Sequence, residues 1–266
     1  MKYDPKQEKQ LMTELWSINI KDDPYNFVKF AFPWGQKDTP LEHFDGPRKW
    51  QEKILRDITT HIQRNNSIEL PEMFRLAVAS GRGIGKSALV AWLIIWMLST
   101  RLGATIIVTA NTEQQLRSRT WAELGKWLTL AINSHWFMKT ATTIKPAGWF
   151  QEALERDLKI DTGYYYAQAQ LWSEENPDAF AGIHSSYGVC LIMDEASGIP
   201  APIYSVSEGF FSEPTKDRYW FTFSNPRRNT GPFYDSFHSK RSFWQSLQVD
   251  SRTVEGTDQK LFQTMI

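Results

Sequence analysis

The sequence has one cysteine, Cys190, among 266 residues, which excludes an internal disulfide and any multi-cysteine zinc or iron–sulfur centre. Cys190 lies in an apolar run, so it reads as a small core residue in a reducing compartment. Net charge is missing as well. Thirty Lys and Arg cancel thirty Asp and Glu, so no global field draws the chain onto nucleic acid or an anionic membrane, and any such contact must come from a local patch. The longest apolar run, Ala88 to Leu98, has eleven residues, whereas a bilayer span needs about 20. The polar start MKYDPKQEKQ carries no signal-peptide pattern. Five histidines show no metal-binding spacing, and no internal repeat or low-complexity tract appears. These absences leave a cytoplasmic protein without a membrane partner as the expectation.

What is present is apolar and aromatic: 41% hydrophobic residues, with 12 Trp, 16 Phe and 9 Tyr, enough for one large domain or one and a half. Helical patterns around Glu8–Trp16 and Pro24–Phe30 and a Pro/Gly-punctuated connection make residues 1–46 a lead-in segment. From Arg48 a helix places Trp50, Ile54, Leu55, Ile58 and Ile62 on one face. MFRLAVAS reads as a buried strand, KSALVAWLIIWMLST as an enclosed helix and ATIIVTA as a second buried strand. TEQQLRSRTWAELGKWLTLAI reads as a helix capped by Thr112. Residues 135–186 read as short strands and loops. YGVCLIMDEA, RYWFTFSNP and FWQSLQVD read as further strands. Alternating strands and helices predict an α/β fold, a mostly parallel central sheet flanked by helices, over residues 47–248. Residues 249–266 read as the start of a lid or linker.

Residues 77–92, AVASGRGIGKSALVAW, place a glycine-rich turn between a strand and a helix. Gly81, Gly83 and Gly85 free the backbone to aim N–H groups at a phosphate. Lys86 then reaches the β- and γ-phosphates and the Ser87 hydroxyl binds Mg²⁺. The usual G-x-x-x-x-G-K-[ST] pattern has glycine where this chain has Ser80. A serine needs only an ordinary backbone angle there, so Ser80, Gly81, Arg82, Gly83, Ile84, Gly85, Lys86 and Ser87 are the expected nucleotide contacts. Asp194 and Glu195 end a very apolar strand, at the edge where open α/β sheets bind ligands. Asp194 is the candidate Mg²⁺ ligand, and Glu195 the group that orients and deprotonates water. The other reading makes the pair solvated carboxylates capping the next helix. Such a glutamate, on a strand separate from the loop strand, marks P-loop NTPases of the additional-strand, catalytic-glutamate type and favours ATP hydrolysis.

Other residues admit two readings each. Arg82 either neutralises transition-state charge as a catalytic group in cis or is a solvated loop arginine. Thr222, Ser224 and Asn225 either report phosphate loss or cap the turn before Pro226. Trp50 and Gln51 either take the adenine or, for Trp50, join the core stripe. Arg101, Arg117 and Arg119, and likewise Arg227 and Arg228, offer a trans finger, a DNA-phosphate contact or a solvated face.

The blocks DDPYNFVKFAFPWG, TPLEHFDGPRKWQ, ASGRGIGKS, TANTEQQLRSRTW, NPDAFAGIH, CLIMDEASGIP and TFSNPRRNTGPFYD, spread over residues 22–235, together resemble the large terminase subunit of tailed double-stranded DNA bacteriophages and prophages. Terminases commonly carry an altered loop containing an arginine, as Arg82 does here. The resemblance implies an ATP- and Mg²⁺-dependent DNA-packaging motor: a ring of five subunits on the portal protein, fed by the small terminase subunit, driving double-stranded DNA into a procapsid. The isolated chain is then a monomer. It carries Lys86 and Ser87 over to the loop, Asp194 and Glu195 to the strand end, FSNP to the coupling element and Trp50–Gln51 to the adenine side. The family's ribonuclease-H-like nuclease domain finds no room after Asp250, so ATPase activity without nuclease activity is expected. A helicase-like translocase and a non-hydrolysing nucleotide-binding assembly module are the rival readings.

Overall fold

The computed structural model describes residues 3–258. Helices α1 (Pro5–Leu15), α2 (Ile18–Lys21), α3 (Pro24–Ala31) and α4 (Lys49–Asn65) precede strand β1 (Phe74–Ser80), helix α5 (Lys86–Thr100) and β2 (Thr105–Ala110). Next come α6 (Glu113–Gln115), a π-helical turn (Leu116–Trp121) and α7 (Ala122–Leu130), in direct succession. Strands β3 (Phe137–Lys139) and β4 (Thr143–Pro146), helix α8 (Gly148–Asp157), β5 (Tyr166–Ala169) and β6 (Val189–Asp194) follow. The described chain closes with α9 (Ala201–Ser207), β7 (Arg218–Ser224), α10 (Pro232–Asp235), β8 (Gln245–Val249) and a short 3₁₀ turn (Ser251–Thr253).

The strands form one sheet in the order β3-β4-β5-β2-β6-β7-β1-β8. Pairing is parallel from β5 to β8, and at the other edge the β3–β4 and β4–β5 pairs are antiparallel, so β4 alone runs against the other strands of the described sheet. Both faces are covered, so side chains alternate between two apolar layers. Cys190 and Ile192 of β6 enter the larger layer with α4, α5 and α7, while Val189, Leu191 and Met193 enter the layer under α9 and Phe210. Covering both faces is what makes β2 and β6 read as continuous apolar runs. Helix α5 is buried from Leu89 to Thr100, which is why its sequence shows no polar face.

The chain from β1 to β2 passes over two strands, β7 and β6. β7 therefore lies between the strand that ends at Ser80 and the strand that ends at Asp194. The register pairs Ala79 with Ser224 and Asp194 with Phe223, so these strands finish at one carboxyl edge. Residues 5–31 do not stand apart from this body. Leu15, Phe27, Val28 and Ala31 are part of the larger layer, and the Trp16 indole donates to the Ser99 carbonyl. Between 135 and 186 the expected short strands are β3, β4 and β5, but helix α8 interrupts them, burying Phe150 and Leu154. Of the expected lid or linker 249–266, residues 259–266 lie outside the described residues.

Candidate nucleotide-binding site

The turn from β1 to α5 gets its shape from its glycines at two positions. Gly83 and Gly85 have positive φ angles of 73° and 88°, which a side chain rarely adopts. Ser80 is the last residue of β1 and is absent from the positive-φ residues, so serine fits without strain. Gly81 is held small for another reason: a Cβ there would collide with the Ser251 hydroxyl. Helix α5 begins at Lys86, and its N-terminal N–H groups and dipole face the turn.

The Lys86 ammonium folds back across the turn. It donates to Ser80 Oγ at 3.1 Å, to the Gly81 carbonyl at 2.5 Å and to Asn225 Oδ1 at 3.0 Å. Burial pushes its pKa below the ordinary lysine value, while the charges of Asp194 and Glu195 oppose that shift, so both acids lie within its field. Asp194 is 9% exposed. Burial raises the pKa of its carboxyl, and the Thr120 hydroxyl, which donates to Oδ2 at 2.6 Å, works against that rise. The Glu195 N–H donates to the other carboxylate oxygen at 3.0 Å. Glu195 itself is half-buried and sits in the left-handed region, φ 52°, an uncommon conformation for a residue with a side chain. Neighbouring strands lie about 4.8 Å apart, so the ends of β1 and β6, two spacings apart across β7, leave a gap of about 10 Å.

The end of β7 bridges that gap. Ser224 Oγ lies 2.7 Å from Ser197 Oγ and accepts the Ser197 N–H at 3.1 Å, and the Ser197 hydroxyl donates to the Asn225 carbonyl at 3.1 Å. Polar contacts thus run from Lys86 through Asn225 and Ser224 to the turn after Glu195. Thr222 is not part of this edge. It is 1% exposed and its hydroxyl donates to the Leu76 carbonyl within the sheet, so the phosphate-sensing reading is corrected for this residue.

Two further expectations change. Trp50 and Gln51 stand behind the turn. The Trp50 indole donates to the Ile84 carbonyl at 3.1 Å, and the Gln51 amide donates to the Gly85 carbonyl at 2.8 Å and accepts from Arg48 N at 2.9 Å. Both side chains are buried and spent on shaping the loop, which replaces the adenine-side reading. Arg101 is fixed at the opposite edge of the sheet. Its guanidinium pairs with Asp217 at 2.8 Å and Asp22 at 3.0 Å and lies 4.8 Å from the Trp96 ring centroid. It is a buried pin between α2, α5 and β7, unable to reach a neighbouring subunit or DNA.

Arg82 is exposed at the tip of the turn, and its guanidinium has no hydrogen bond or ion pair among the described residues. Arg117 is exposed and pairs with Glu113 at 2.7 Å. Arg119, Arg227 and Arg228 are exposed, the last two beside a cleft of about 520 Å³ that adjoins the turn. Several contacts had no sequence signal. Thr120 belongs to a helix whose phase the π-helical turn shifts, and Arg48 donates to the Gly83 carbonyl at 3.2 Å from 35 residues away. The segment after β8 closes on the same place: Ser251 lies under Gly81, and a Glu255 carboxylate oxygen accepts from Lys49 N at the start of α4.

No protein-family profile matches the chain. The chain is similar to a probable terminase large subunit of Enterobacteria phage P7, 29% identical over 170 residues that make up 61% of this chain and 31% of that protein. It thus spans about a third of the length of the curated relative it matches. Among solved structures, the large terminase of a thermophilic bacteriophage superposes with a TM-score of 0.54 at 14% identity, covering 82% of this chain and 50% of that one. The large terminase ATPase domain of Thermus phage P74-26 superposes with a TM-score of 0.47 at 17% identity, covering 71% of this chain and 80% of that one. The resemblance of the sequence blocks to large terminase subunits therefore has a homologue and a shared α/β fold behind it.

Proposed function

We propose that this chain is the ATPase part of a viral DNA-packaging motor that hydrolyses ATP with Mg²⁺ to drive double-stranded DNA into a procapsid. The observation that carries the reading is the Lys86 ammonium, 3.0 Å from Asn225 at the end of β7 and in the field of Asp194 and Glu195 beyond it. That sets a cation at the end of β1 and carboxylates at the end of β6 along one sheet edge, the pairing that a triphosphate and its metal require. The strand β7 inserted between β1 and β6 supports the additional-strand, catalytic-glutamate type of P-loop fold.

Lys86 would leave Ser80 and Asn225 for the phosphates, and the N–H groups of the turn and of the start of α5 would bind the oxygens between them. The donor set suits Mg²⁺. The Asp194 carboxylate and the Ser87 hydroxyl are hard oxygen ligands. Among the described residues no group of three or more His, Cys, Asp or Glu side chains assembles, which fits a metal that keeps waters and takes phosphate oxygens. When bound, the ion would neutralise charge that develops on the phosphate. Glu195, half-buried and fixed by its backbone, is the base for the attacking water, a role that contributes about 10²–10⁴ in rate. Arg82, free at the tip of the turn, adds charge in cis. Arg119, and Arg117 once it leaves Glu113, are the proposed reach toward a neighbouring subunit or DNA. Portal protein, small terminase subunit and a homo-oligomeric ring are the partners this reading implies, with a monomer in isolation and the host cytoplasm as location. Among the described residues no helix is long and apolar enough to cross a membrane.

Phosphate release by the parent, Lys86→Ala and Glu195→Gln tests the core of the reading. Lys86→Ala should lose nucleotide binding, and Glu195→Gln should bind ATP but turn over about 100-fold more slowly or worse. Stimulation by long duplex DNA should fall steeply with salt. Turnover by Lys86→Ala at the parental rate would overturn the assignment.

A further inference from the structure

We propose that Thr120 is a positioning residue that fixes the carboxylate of Asp194 in the orientation needed to take a nucleotide-bound divalent cation. This rests on the nucleotide-site reading above and adds a residue to it.

A threonine hydroxyl inside a helix ordinarily turns back to a carbonyl of the preceding turn. Five threonines in the described helices do so: Thr13 donates to the Lys9 carbonyl at 2.8 Å, Thr59 to Leu55 at 3.2 Å, Thr60 to Arg56 at 3.1 Å, Thr100 to Trp96 at 2.7 Å and Thr129 to Lys126 at 2.7 Å. Thr120 does not. Its hydroxyl donates across the sheet edge to Asp194 Oδ2 at 2.6 Å, 74 residues away in sequence. The residue is 1% exposed, so the bond is shielded from water. The backbone around it departs from the α-helix in the same place. Leu116–Trp121 is a π-helical turn set between α6 and α7, and such turns occur mostly as single-turn interruptions, often at functional sites. It buries Leu116, Thr120 and Trp121 and leaves Arg117, Ser118 and Arg119 exposed, so the irregular turn is what faces Thr120 toward β6.

The bond constrains Asp194 at both oxygens. Thr120 holds one and the Glu195 N–H holds the other, which leaves the carboxylate no free rotation and each oxygen with a lone pair for a ligand. Partners that orient a metal-binding group in this way typically change metal affinity by about 10–100-fold when removed.

The test uses the full chain, a fluorescent ADP analogue, and Mg²⁺ or Mn²⁺ as the metal probe. Thr120→Val keeps the side chain's shape and removes the donor, and Thr120→Ser keeps the donor. In Thr120→Val the metal concentration for half-maximal tightening of nucleotide binding should rise about 10–100-fold, while binding without metal stays at the parental level. Thr120→Ser should restore the parental value, and the Mn²⁺ resonance spectrum of the bound ion should change in the valine variant alone. If Thr120→Val fails to fold, Thr120→Ala takes its place, with melting temperatures measured for each protein. An unchanged metal dependence in the donor-less variant, or no rescue by a folded Thr120→Ser, overturns the proposal. If the parent's nucleotide binding survives Lys86→Ala unchanged, the nucleotide site itself is wrong and the role of Thr120 goes with it.

Discussion

At the residue scale, the substitution of serine for the first glycine of the phosphate loop is absorbed by Ser80 ending β1 at an ordinary φ, while Gly83 and Gly85 take the left-handed positions. Ser80 also provides one of three acceptors for Lys86. A glycine there would remove a hydrogen bond to a charged group, worth about 1.5–3 kcal/mol. Ser80→Gly is therefore expected to free the ammonium for phosphate and to tighten nucleotide binding, at some cost in stability; calorimetric titration with ADP and thermal melting check the two halves. Asp194 gives the opposite balance. Its buried carboxylate is disfavoured by desolvation, whereas a neutral amide still accepts the Glu195 N–H through its oxygen and can donate its NH₂ to the Thr120 hydroxyl, so Asp194→Asn should match or exceed the parent's melting temperature while hydrolysis is lost. That Lys86 starts a helix after a glycine turn and that Asp194 and Glu195 close a strand was legible in the sequence, because a loop and an acidic pair each follow an apolar strand. Thr120 and Ser197 were not, since their partners are set by which strand lies next to which.

At the element scale, the main strands and helices follow from apolar runs, and α5 begins and ends where its sequence indicates. Helix α8 was hidden because it interrupts short, irregular strands, and the π-helical turn was hidden because its sequence keeps an α-like pattern on either side. The reading of Arg101 failed for a related reason: a charge at a helix end looks solvated until Asp22 and Asp217 arrive from distant segments. Arg101→Ala leaves two carboxylates without their cation and should destabilise the fold by about 3–5 kcal/mol, read from chemical denaturation. Helix α4 carries a pH-sensitive contact. His61 packs against Phe74 at 5.1 Å and its Nε2 lies 3.0 Å from Asn65 Nδ2. Burial lowers its pKa below the ordinary histidine value of 6.5, so the folded state favours the neutral ring. The stability this contributes is present above that value and is lost as pH falls through the lowered folded one. Melting temperature should drop over that window in the parent, and less so in His61→Gln.

At the scale of the whole molecule, one sheet edge gathers the ends of β1, β6 and β7, and an apolar layer covers each face of the sheet behind it. The arrangement leaves Arg119 exposed one residue from the Asp194 contact, near enough to the edge to serve an adjoining copy. If it does, hydrolysis per subunit should rise with protein concentration in the parent and stay flat in Arg119→Ala, as followed by phosphate release over a dilution series. This rise would be large, because an arginine supplied in trans contributes about 10³–10⁵ in rate.

The wedge of Ser251 beneath Gly81 makes these two positions interdependent. Alanine at 81 alone would force the serine aside and disturb the segment whose Glu255 grips the start of α4, although no phosphate-facing atom had changed. Pairing Gly81→Ala with Ser251→Gly should return much of the lost stability, a non-additive cycle that joins the last described stretch of chain to the first turn of the loop.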